Sequence, residues 1–367
     1  MTIRRRVFLR AAACGVVAPY LVGCSSGDGE QDAARALRRS VSLASGERGS
    51  LMRELVRCAT LAPSSHNTQC WTFRLQDRTV TIGPDLSRRC PVVDPDDHHV
   101  YVSLGCATEN LVQAALASGL KADARFDATG VGSIALSLEP TRALVSPLFQ
   151  AIAERQCTRG DYDAKPLSSE ELRLLEQAGT GNGVRVVVLT GRQAMDGVLE
   201  YVVAGNTSQM GDPAFVEELK TWIRFSADEA LSTGDGLFAG ATGNPAMPRW
   251  LGSRMMGLFL TPKSENERYA RQIRNSAGIA VFVSERSDKE HWVEAGRCYE
   301  RFALQATALG LRNAFLNQPV EVGAIRPQFA SWLGLGPGAS RPDLVVRFGR
   351  GPAMPYSMRR PLQAVLV

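Results

Sequence analysis

The spacing of apolar residues changes near residue 63 of this chain, and the change predicts a helix followed by a β-hairpin. Four apolar residues recur at helical spacing before that point: Leu51, Leu55, Val56 and Ala59. Pro63 should end the helix, because a proline donates no backbone hydrogen bond and constrains the residue before it. Apolar and polar residues then alternate over residues 71–75 and again over 79–82, with three turn residues between the two runs.

Continuous apolar runs later in the chain predict buried strands at residues 184–189, 278–284 and 344–348. Amphipathic stretches predict helices at 171–176 and near 325–333. Residues from about 205 to 265 lack a clean period and contain Gly, Pro, Met and Trp. We expect helices and a mobile flap over a pocket in that segment, and a plain surface insertion is the alternative.

Residues 101–120 and 292–311 repeat one helical pattern. Seven of the twenty aligned positions are identical: Val102, Gly105, Glu109, Ala115, Ala117, Gly119 and Leu120 recur as Val293, Gly296, Glu300, Ala306, Ala308, Gly310 and Leu311. Chance would give about one or two identities, so we infer a divergent duplication. Both stretches carry small and apolar residues on more than one face, as a helix buried between layers does. We predict that Gly105 and Gly296 lie where the two helices approach closely.

Two polar segments carry the candidate chemistry. The turn at residues 63–69 places hydroxyl and amide side chains between the predicted helix and hairpin, although a well-capped corner would use the same residues. The segment at residues 155–159 has arginines at i and i+4, which would share one helical face or one side of a frayed turn. A phosphate dianion is well matched by such a pair of forked cations, and a solvated basic patch is the alternative.

The string Pro-Ser-Ser-x-Asn-x-Gln-x-Trp-x-Phe at residues 63–73 resembles the nitroreductase family, in which this corner lies against the flavin ring of FMN. That resemblance implies ring contacts from Pro63, Ser64, Ser65, Asn67 and Gln69. Pro normally stands in that family where this chain has Cys70.

The same family binds the FMN phosphate with an Arg-x-Ser-x-Arg-like segment and with a Ser-x-Arg-type segment at the end of the chain. The resemblance therefore implies phosphate contacts from two sets of residues: Arg155, Gln156, Cys157 and Arg159, and one or both of Arg359 and Arg360. Cys157 occupies the usual hydroxyl position, so one phosphate hydrogen bond is expected to be missing unless the adjacent Thr158 supplies it.

Each set of FMN residues occurs once in this chain, which looks like the Acg-type branch of the family. The resemblance implies an α+β, nitroreductase-like fold made of two fused halves, residues 51–150 and 151–367, with the flap at about 205–265 in the second half. Such a pseudo-dimer should be monomeric and should bind one FMN in a composite site. The implied function is two-electron reduction of a small nitro, quinone or similar acceptor, with an electron donor that the sequence does not identify. The alternative is a catalytically quiet FMN-binding or sequestering protein, because a lid can cover the ring in the Acg-type branch.

The first residues predict export. Arg5-Arg6-Val7-Phe8-Leu9-Arg10 resembles a twin-arginine signal within residues 1–23, and Leu21-Val22-Gly23-Cys24 resembles a lipobox with Cys24 as the lipidated residue. An ordinary cytoplasmic protein with an arginine-rich start is the alternative. Residues 24–50 begin with small and acidic residues and are predicted to form a flexible tether. We therefore expect an extracytoplasmic lipoprotein that is anchored to a membrane.

Charge and metal-ligand patterns exclude other classes of function. The net charge of +5 includes four arginines of the predicted signal, so the rest of the chain offers no basic surface for nucleic acid. No pair of cysteines has the spacing of a zinc ribbon. The carboxylates and imidazoles of Asp94, Asp96, Asp97, His98 and His99 could bind a metal, but adjacent histidines on a helix should point in different directions. We instead predict that Asp94 caps the helix and that the chain has no metal site. His66 could be a proton donor or a turn cap, and both roles stay open.

Overall fold

A computed structural model describes residues 26–39, 48–259, 261–336, 338 and 340–367. The predicted twin-arginine signal, the lipobox and Cys24 lie outside the described residues. Over the part of the chain that the structure covers, no helix combines the length and the apolar character that a membrane span requires.

The described residues form α-helices, two four-stranded antiparallel sheets and one short parallel pair of strands, in keeping with the predicted α+β class. Up to residue 151 the elements are α1 (Ser26–Leu37), α2 (Arg48–Thr60), β1 (Trp71–Gln76), β2 (Thr79–Pro84), α3 (His98–Ala117), β3 (Leu120–Asp127), β4 (Ser133–Pro140) and α4 (Pro147–Ala151). The second part begins with α5 (Ser169–Ala178), β5 (Val184–Leu189), α6 (Arg192–Met210), α7 (Pro213–Trp222), β6 (Ile223–Arg224), α8 (Ala227–Thr233), β7 (Leu237–Phe238), α9 (Arg249–Phe259) and α10 (Pro262–Arg274). It ends with β8 (Gly278–Ser284), α11 (Lys289–Ala308), β9 (Arg312–Phe315), α12 (Gln318–Glu321), α13 (Arg326–Trp332) and β10 (Arg341–Gly349).

The two four-stranded sheets repeat one strand order. The first sheet has the order β1-β2-β4-β3 and the second β5-β8-β10-β9, and all neighbouring strands are antiparallel. In each sheet two strands precede a twenty-residue helix, α3 or α11, and two strands follow it. β1 and β2 form a tight hairpin, whereas α6 to α10 separate β5 from β8. This topology is that of two fused halves, with the long insertion in the second.

The helices α3 and α11 cross at two glycines. A Cβ atom on Gly105 would lie 1.9 Å from the carbonyl oxygen of Val293, and one on Gly296 would lie 2.0 Å from that of Val102. Residues 102 and 105 correspond to 293 and 296 in the repeated pattern, so each helix makes the same contact with the other. Such a reciprocal contact is the geometry of a two-fold interface within one chain. The predicted close approach at these glycines is confirmed.

The apolar core is continuous between the two halves. Trp71 and Phe73 of β1, Phe282 of β8 and Phe302 of α11 are fully buried in one cluster. The end of the chain also joins the first sheet, because the N–H of Phe73 donates to Val365 O at 2.7 Å and the N–H of Val367 donates to Phe73 O at 3.0 Å. The halves therefore share both a core and a sheet edge.

Most predicted elements are present, and two are corrected. The helix before residue 63, the hairpin and the three apolar strands are confirmed. The predicted flexible tether is wrong for Ser26–Leu37, which form α1 and contact α8. The predicted helical turn at residues 155–159 is also wrong, because α4 ends at Ala151 and Cys157 pairs with Asn313 in an isolated β-bridge. The expected helices at 205–265 are present as parts of α6 to α10, and the mobility of this segment stays a prediction.

Candidate functional site

A pocket of about 610 Å³ lies between the two halves and under the insertion. The corner at residues 63–66 and the first turns of α3 form one wall, and residues 315–321 form another. The insertion contributes apolar side chains, which include Phe215, Leu219, Phe225, Met255 and Met256. This volume is in the usual range for small-molecule and cofactor sites.

The corner presents three of its five predicted residues to the pocket. Pro63, Ser64 and Ser65 line it, and Ser64 Oγ accepts the backbone N–H of Gln69 at 2.9 Å. The backbone here has positive φ at His66 (47°), Asn67 (55°) and Gln69 (54°). Positive φ disfavours most L-residues, so such a run needs strong support from its surroundings.

Asn67 and Gln69 supply that support and do not line the pocket. Asn67 Nδ2 donates to Gly236 O at 3.0 Å, and Gln69 Nε2 donates to Gly234 O at 2.9 Å. Gln69 Oε1 accepts the backbone N–H of Arg360 at 2.8 Å. The two amides therefore tie the corner to a turn of the insertion and to the C-terminal tail.

Arg159 is the member of the predicted phosphate set that lines the pocket. Its side chain is half-buried, and its backbone carbonyl accepts Gln272 Nε2 at 2.6 Å. Across the described ranges, no Asp or Glu lies within ion-pair distance of its guanidinium. Arg268 also lines the pocket but pairs with Glu265 at 3.4 Å. Among the described residues of the pocket lining, Arg159 is thus the arginine without an ion pair, and it is available to an anionic ligand.

Arg155 lies in the core instead of the pocket. Its Nε is 3.2 Å from Glu300 Oε1 on α11, and its Nη2 donates to Leu61 O at 3.0 Å. Burial raises the pKa of Glu300 to about 7, and the positive charge of Arg155 opposes that shift. The pair joins α11 to the segment that follows α2.

Arg359 also makes internal contacts. Its guanidinium donates to the carbonyl oxygens of Thr60, Leu61 and Ala62 at 2.7–3.1 Å and to Asn67 Oδ1 at 3.0 Å. These carbonyls belong to the end of α2, where unpaired acceptors and the negative end of the helix dipole favour a cation. Arg359 therefore holds the corner in position through these contacts, and it does not itself line the pocket.

The other predicted phosphate residues lie outside the pocket lining. Gln156 Nε2 donates to Met354 O at 2.5 Å, and Cys157 pairs with Asn313. Arg360 Nη2 donates to Ala364 O at 2.8 Å. A role for these residues at a phosphate stays a prediction.

Several polar groups of the pocket were not found from the sequence. Asn206 and Gln209 of α6, Gln318 and Glu321 of α12 and His99 of α3 all line it. Gln209 Nε2 donates to Glu321 Oε2 at 2.7 Å, and Gln318 Nε2 donates to Tyr269 Oη at 2.6 Å. Asn206 and Gln209 are spaced i and i+3 on α6, and Val202, one turn before Asn206, is buried. Two amides that continue a buried helix face were the feature of the sequence that could have indicated these pocket residues.

Three buried polar atoms at the pocket lack hydrogen-bond partners among the described residues: Gln318 Oε1 and both ring nitrogens of His99. Burial lowers the pKa of His99 and raises that of Glu321. Burial and the neighbouring Arg159 also lower the pKa of His66 to about 4, so this ring is neutral at pH 7. Unpaired buried polar atoms are costly, so those at the pocket are groups that a ligand could satisfy.

The start of α3 differs from the predicted cap. The helix begins at His98 with Asp97 as N-cap residue, and Asp94 reaches it from outside. Asp94 Oδ2 accepts the N–H groups of His99 at 2.8 Å and Val100 at 3.3 Å. The ring centroids of His98 and His99 lie 4.7 Å apart. The prediction that these two adjacent imidazoles point in different directions is therefore wrong.

Comparison with known proteins gives distant similarity. No family model matches the chain. A protein provisionally named NAD(P)H nitroreductase, from two strains of Mycobacterium tuberculosis, is 26% identical over 332 residues, which is 86% of this chain and 90% of the relative. A nitroreductase from Desulfitobacterium hafniense, solved with bound FMN, is 16% identical, with a TM-score of 0.37 over 59% of this chain and 95% of its own. An FMN-dependent nitroreductase from Mycobacterium smegmatis, solved with NADPH, is 14% identical, with a TM-score of 0.35 over 56% of this chain and 87% of its own.

Proposed function

We propose that this chain is a member of the nitroreductase family that binds one FMN in the pocket and passes two electrons to a small nitro, quinone or similar acceptor. The observation that carries the proposal is a convergence of two segments. The Pro63–Ser65 corner of the first half and Arg159 of the second line the same pocket. The similarity to a relative named NAD(P)H nitroreductase, across 86% of this chain, supports the same conclusion.

The residues present fit FMN. A flavin mononucleotide needs a cation for its phosphate, a largely apolar slot for its ring and polar groups at the ring edge. Arg159 has no carboxylate partner among the described residues, and Met255 and Met256 supply apolar, adaptable walls. Gln318 Oε1 is a buried acceptor without a partner there, which a ligand N–H could satisfy.

Bound FMN would supply the two-electron chemistry, and the protein would bind and orient it. Arg159 would hold the phosphate through charge-assisted hydrogen bonds. The Ser64 hydroxyl accepts the N–H of Gln69, so it can direct its own hydrogen to a ligand. The rigid corner would keep Ser64 and Ser65 in place, and the insertion would exclude water from the ring.

Replacing Arg159 with Gln should weaken FMN binding by about 10- to 150-fold, because one charge-assisted contact contributes about 1.5–3 kcal/mol. The thermal unfolding of the flavin-free protein should change little, since the side chain is half-buried and has no ion pair among the described residues. Fluorescence quenching of free FMN on titration measures the affinity.

A matched control is Arg173→Gln, because Arg173 is an exposed arginine on α5 that does not line the pocket. Equal FMN affinity in the Arg159 variant and in this control would contradict the assignment. The double replacement of Arg155 and Arg159 is a poor test, since Arg155 is part of the buried pair with Glu300.

The second candidate function is flavin holding without turnover. The observation that favours it is the insertion, whose side chains line the pocket from Asn206 to Tyr269. Dithionite reduction without oxygen, followed by a nitroaromatic, distinguishes the two functions. Rapid reoxidation by the nitroaromatic indicates an oxidoreductase, and flavin that stays reduced in its presence indicates a holding protein.

We also propose that the protein is exported and lipidated at Cys24, on the basis of the twin-arginine and lipobox patterns. NAD(P)H is scarce outside the cytoplasm, so the flavin would then receive electrons from another donor or hold them. Labelled palmitate should be incorporated in the wild type and not in Cys24→Ser. Unlabelled wild-type protein in the cytoplasm, together with fast flavin reduction by NADPH, would overturn this location.

A further inference from the structure

The start of α3 brings together a buried cluster that the flavin chemistry does not use. Asp94, His98 and His99 each offer one ligand atom, and these atoms all lie within 4.8 Å of one another. Asp97, the N-cap residue, has φ of 57°, and the chain enters the helix through a sharp bend at that point. The bend places Asp94 beside the two imidazoles of the first helical turn.

His99 is a buried imidazole whose ring nitrogens are unpaired among the described residues and could bind a metal ion. Its side chain is 6% exposed, and neither ring nitrogen has a hydrogen-bond partner among the described residues. The nearest carboxylate oxygen, Asp94 Oδ1, is 3.8 Å from His99 Nδ1. Leaving such a group unsatisfied is costly, so either a bound species or a water has to complete it.

His98 has the second contact that metal-binding histidines make. Its Nε2 lies 2.9 Å from Asp343 Oδ1 on β10, and Asp343 Oδ2 accepts the N–H of Ser284 at 3.0 Å. A histidine that binds a metal usually donates its other ring N–H to a carboxylate, which fixes the tautomer and the ring orientation. When Nε2 of His98 carries the proton that is donated to Asp343, the lone pair available to a metal lies on Nδ1 of His98.

Asp94 supplies the negative charge of the cluster. Its Oδ2 accepts two backbone N–H groups, and its Oδ1 is directed toward His99. No lysine or arginine pairs with it in the described residues, whereas Arg341 pairs with Asp96 and Asp343. A cation at the cluster would thus meet one carboxylate without a permanent counter-ion.

From this donor set we propose that Asp94, His98 and His99 bind one divalent transition-metal ion, of which zinc(II) fits best. Two imidazole nitrogens and one carboxylate oxygen suit zinc and disfavour calcium and magnesium, which prefer oxygen ligands. A tetrahedral ion with bonds of about 2.0–2.1 Å needs ligand atoms about 3.4 Å apart, which small side-chain rotations can provide. Because His99 also lines the pocket, the ion would lie at the pocket wall.

The test is calorimetric titration of EDTA-treated protein with ZnCl₂ and, separately, with MgCl₂. The wild type should bind one zinc per chain and no magnesium. His99→Gln should weaken zinc binding by at least about 100-fold, and Asp343→Asn by about 10- to 100-fold as a positioning residue. The control is His291→Gln, because His291 also pairs with an aspartate, Asp288 at 2.7 Å, but lies outside the cluster, and this variant should bind zinc as the wild type does.

Zinc should also raise the melting temperature of the wild type and of His291→Gln, and leave that of His99→Gln unchanged. If His99→Gln does not fold, Asp94→Asn takes its place, and the wild-type titration still decides the question. Wild-type protein that binds no zinc overturns the proposal, and so does equal binding by wild type and His99→Gln, or equal affinity for magnesium. The measurement does not depend on flavin, so its failure would leave the proposed FMN site intact.

Discussion

Gly105→Ala should destabilise the protein by about 3 kcal/mol or more, the upper end of the usual cost of overpacking. The added Cβ would lie 1.9 Å from Val293 O and 2.8 Å from the carbonyl carbon of the same residue. Backbone atoms cannot rotate away as a side chain can, so α3 and α11 would have to separate. Separation would also loosen the core that the two halves share. Thermal and urea unfolding of the purified variant measure the loss.

The duplicated pattern makes a second variant equivalent to the first. Gly296→Ala should cost about as much, because its Cβ would lie 2.0 Å from Val102 O. Gly49→Ala is the matched control, since Gly49 lies in α2 and nothing lies within 4 Å of its added Cβ. That control should be neutral or stabilising by up to about 1 kcal/mol, from helix propensity alone. Unchanged stability of both interface variants would mean that α3 and α11 do not pack as described.

Arg155→Met should destabilise the protein by about 3–5 kcal/mol, because it leaves the carboxylate of Glu300 buried without its partner. The side chains of Arg155 and Glu300 are 2% and 0% exposed, so water cannot take the place of the guanidinium. The carbonyl of Leu61 would also lose one of its two arginine donors, at 3.0 Å, and keep Arg359 Nη2 at 2.9 Å. A denaturant titration of wild type and variant at pH 8 gives the difference.

The double variant Arg155→Met with Glu300→Gln separates charge from packing. It should lose less stability than the sum of the two single variants, because it leaves no isolated buried charge. Arg173→Met is the control for removing an exposed arginine, whose pair with Glu170 should be worth at most about 1 kcal/mol. Additive losses in the double variant would contradict a coupled pair.

The loss of folding stability in Arg155→Met should depend on pH. Burial raises the pKa of Glu300 from 4.5 to about 7 in the folded protein, and Arg155 limits that rise. A carboxyl whose pKa is raised on folding contributes stability below its unfolded pKa and loses it as the pH rises through the folded value. Without Arg155 the folded pKa should rise further, so the gap between wild type and variant should widen from pH 5 to pH 8.

The sequence by itself determined the local elements and the duplication. Trp71 and Phe73 alternate with polar residues, and alternation predicts a strand whatever the rest of the chain does. The small residues shared by residues 101–120 and 292–311 predicted a close helix pair, because only glycine at 105 and 296 permits backbone contact. The sequence also identified the corner, since four residues of that stretch, Pro63 to His66, line the pocket.

Only the tertiary structure decided which polar side chains serve the pocket and which serve the fold. Arg155 and Arg159 look alike in the sequence, yet one is paired with Glu300 in the core and the other lines the pocket. An arginine becomes structural or available according to the carboxylates and carbonyls that other elements bring to it. Arg359 is likewise a structural arginine because of distant parts of the chain, since its acceptors at residues 60–62 are almost three hundred positions away.

The cluster at the start of α3 depended on tertiary structure in another way. The residues Asp94, His98 and His99 are adjacent in the sequence, but helical periodicity alone would separate the two imidazoles. Asp97 at positive φ, Asp343 of β10 beside His98, and burial against the second half set their orientation. Periodicity fixes which face of a regular helix a side chain occupies. At a helix end the backbone bends, and the partners brought there by the fold decide where the side chains lie.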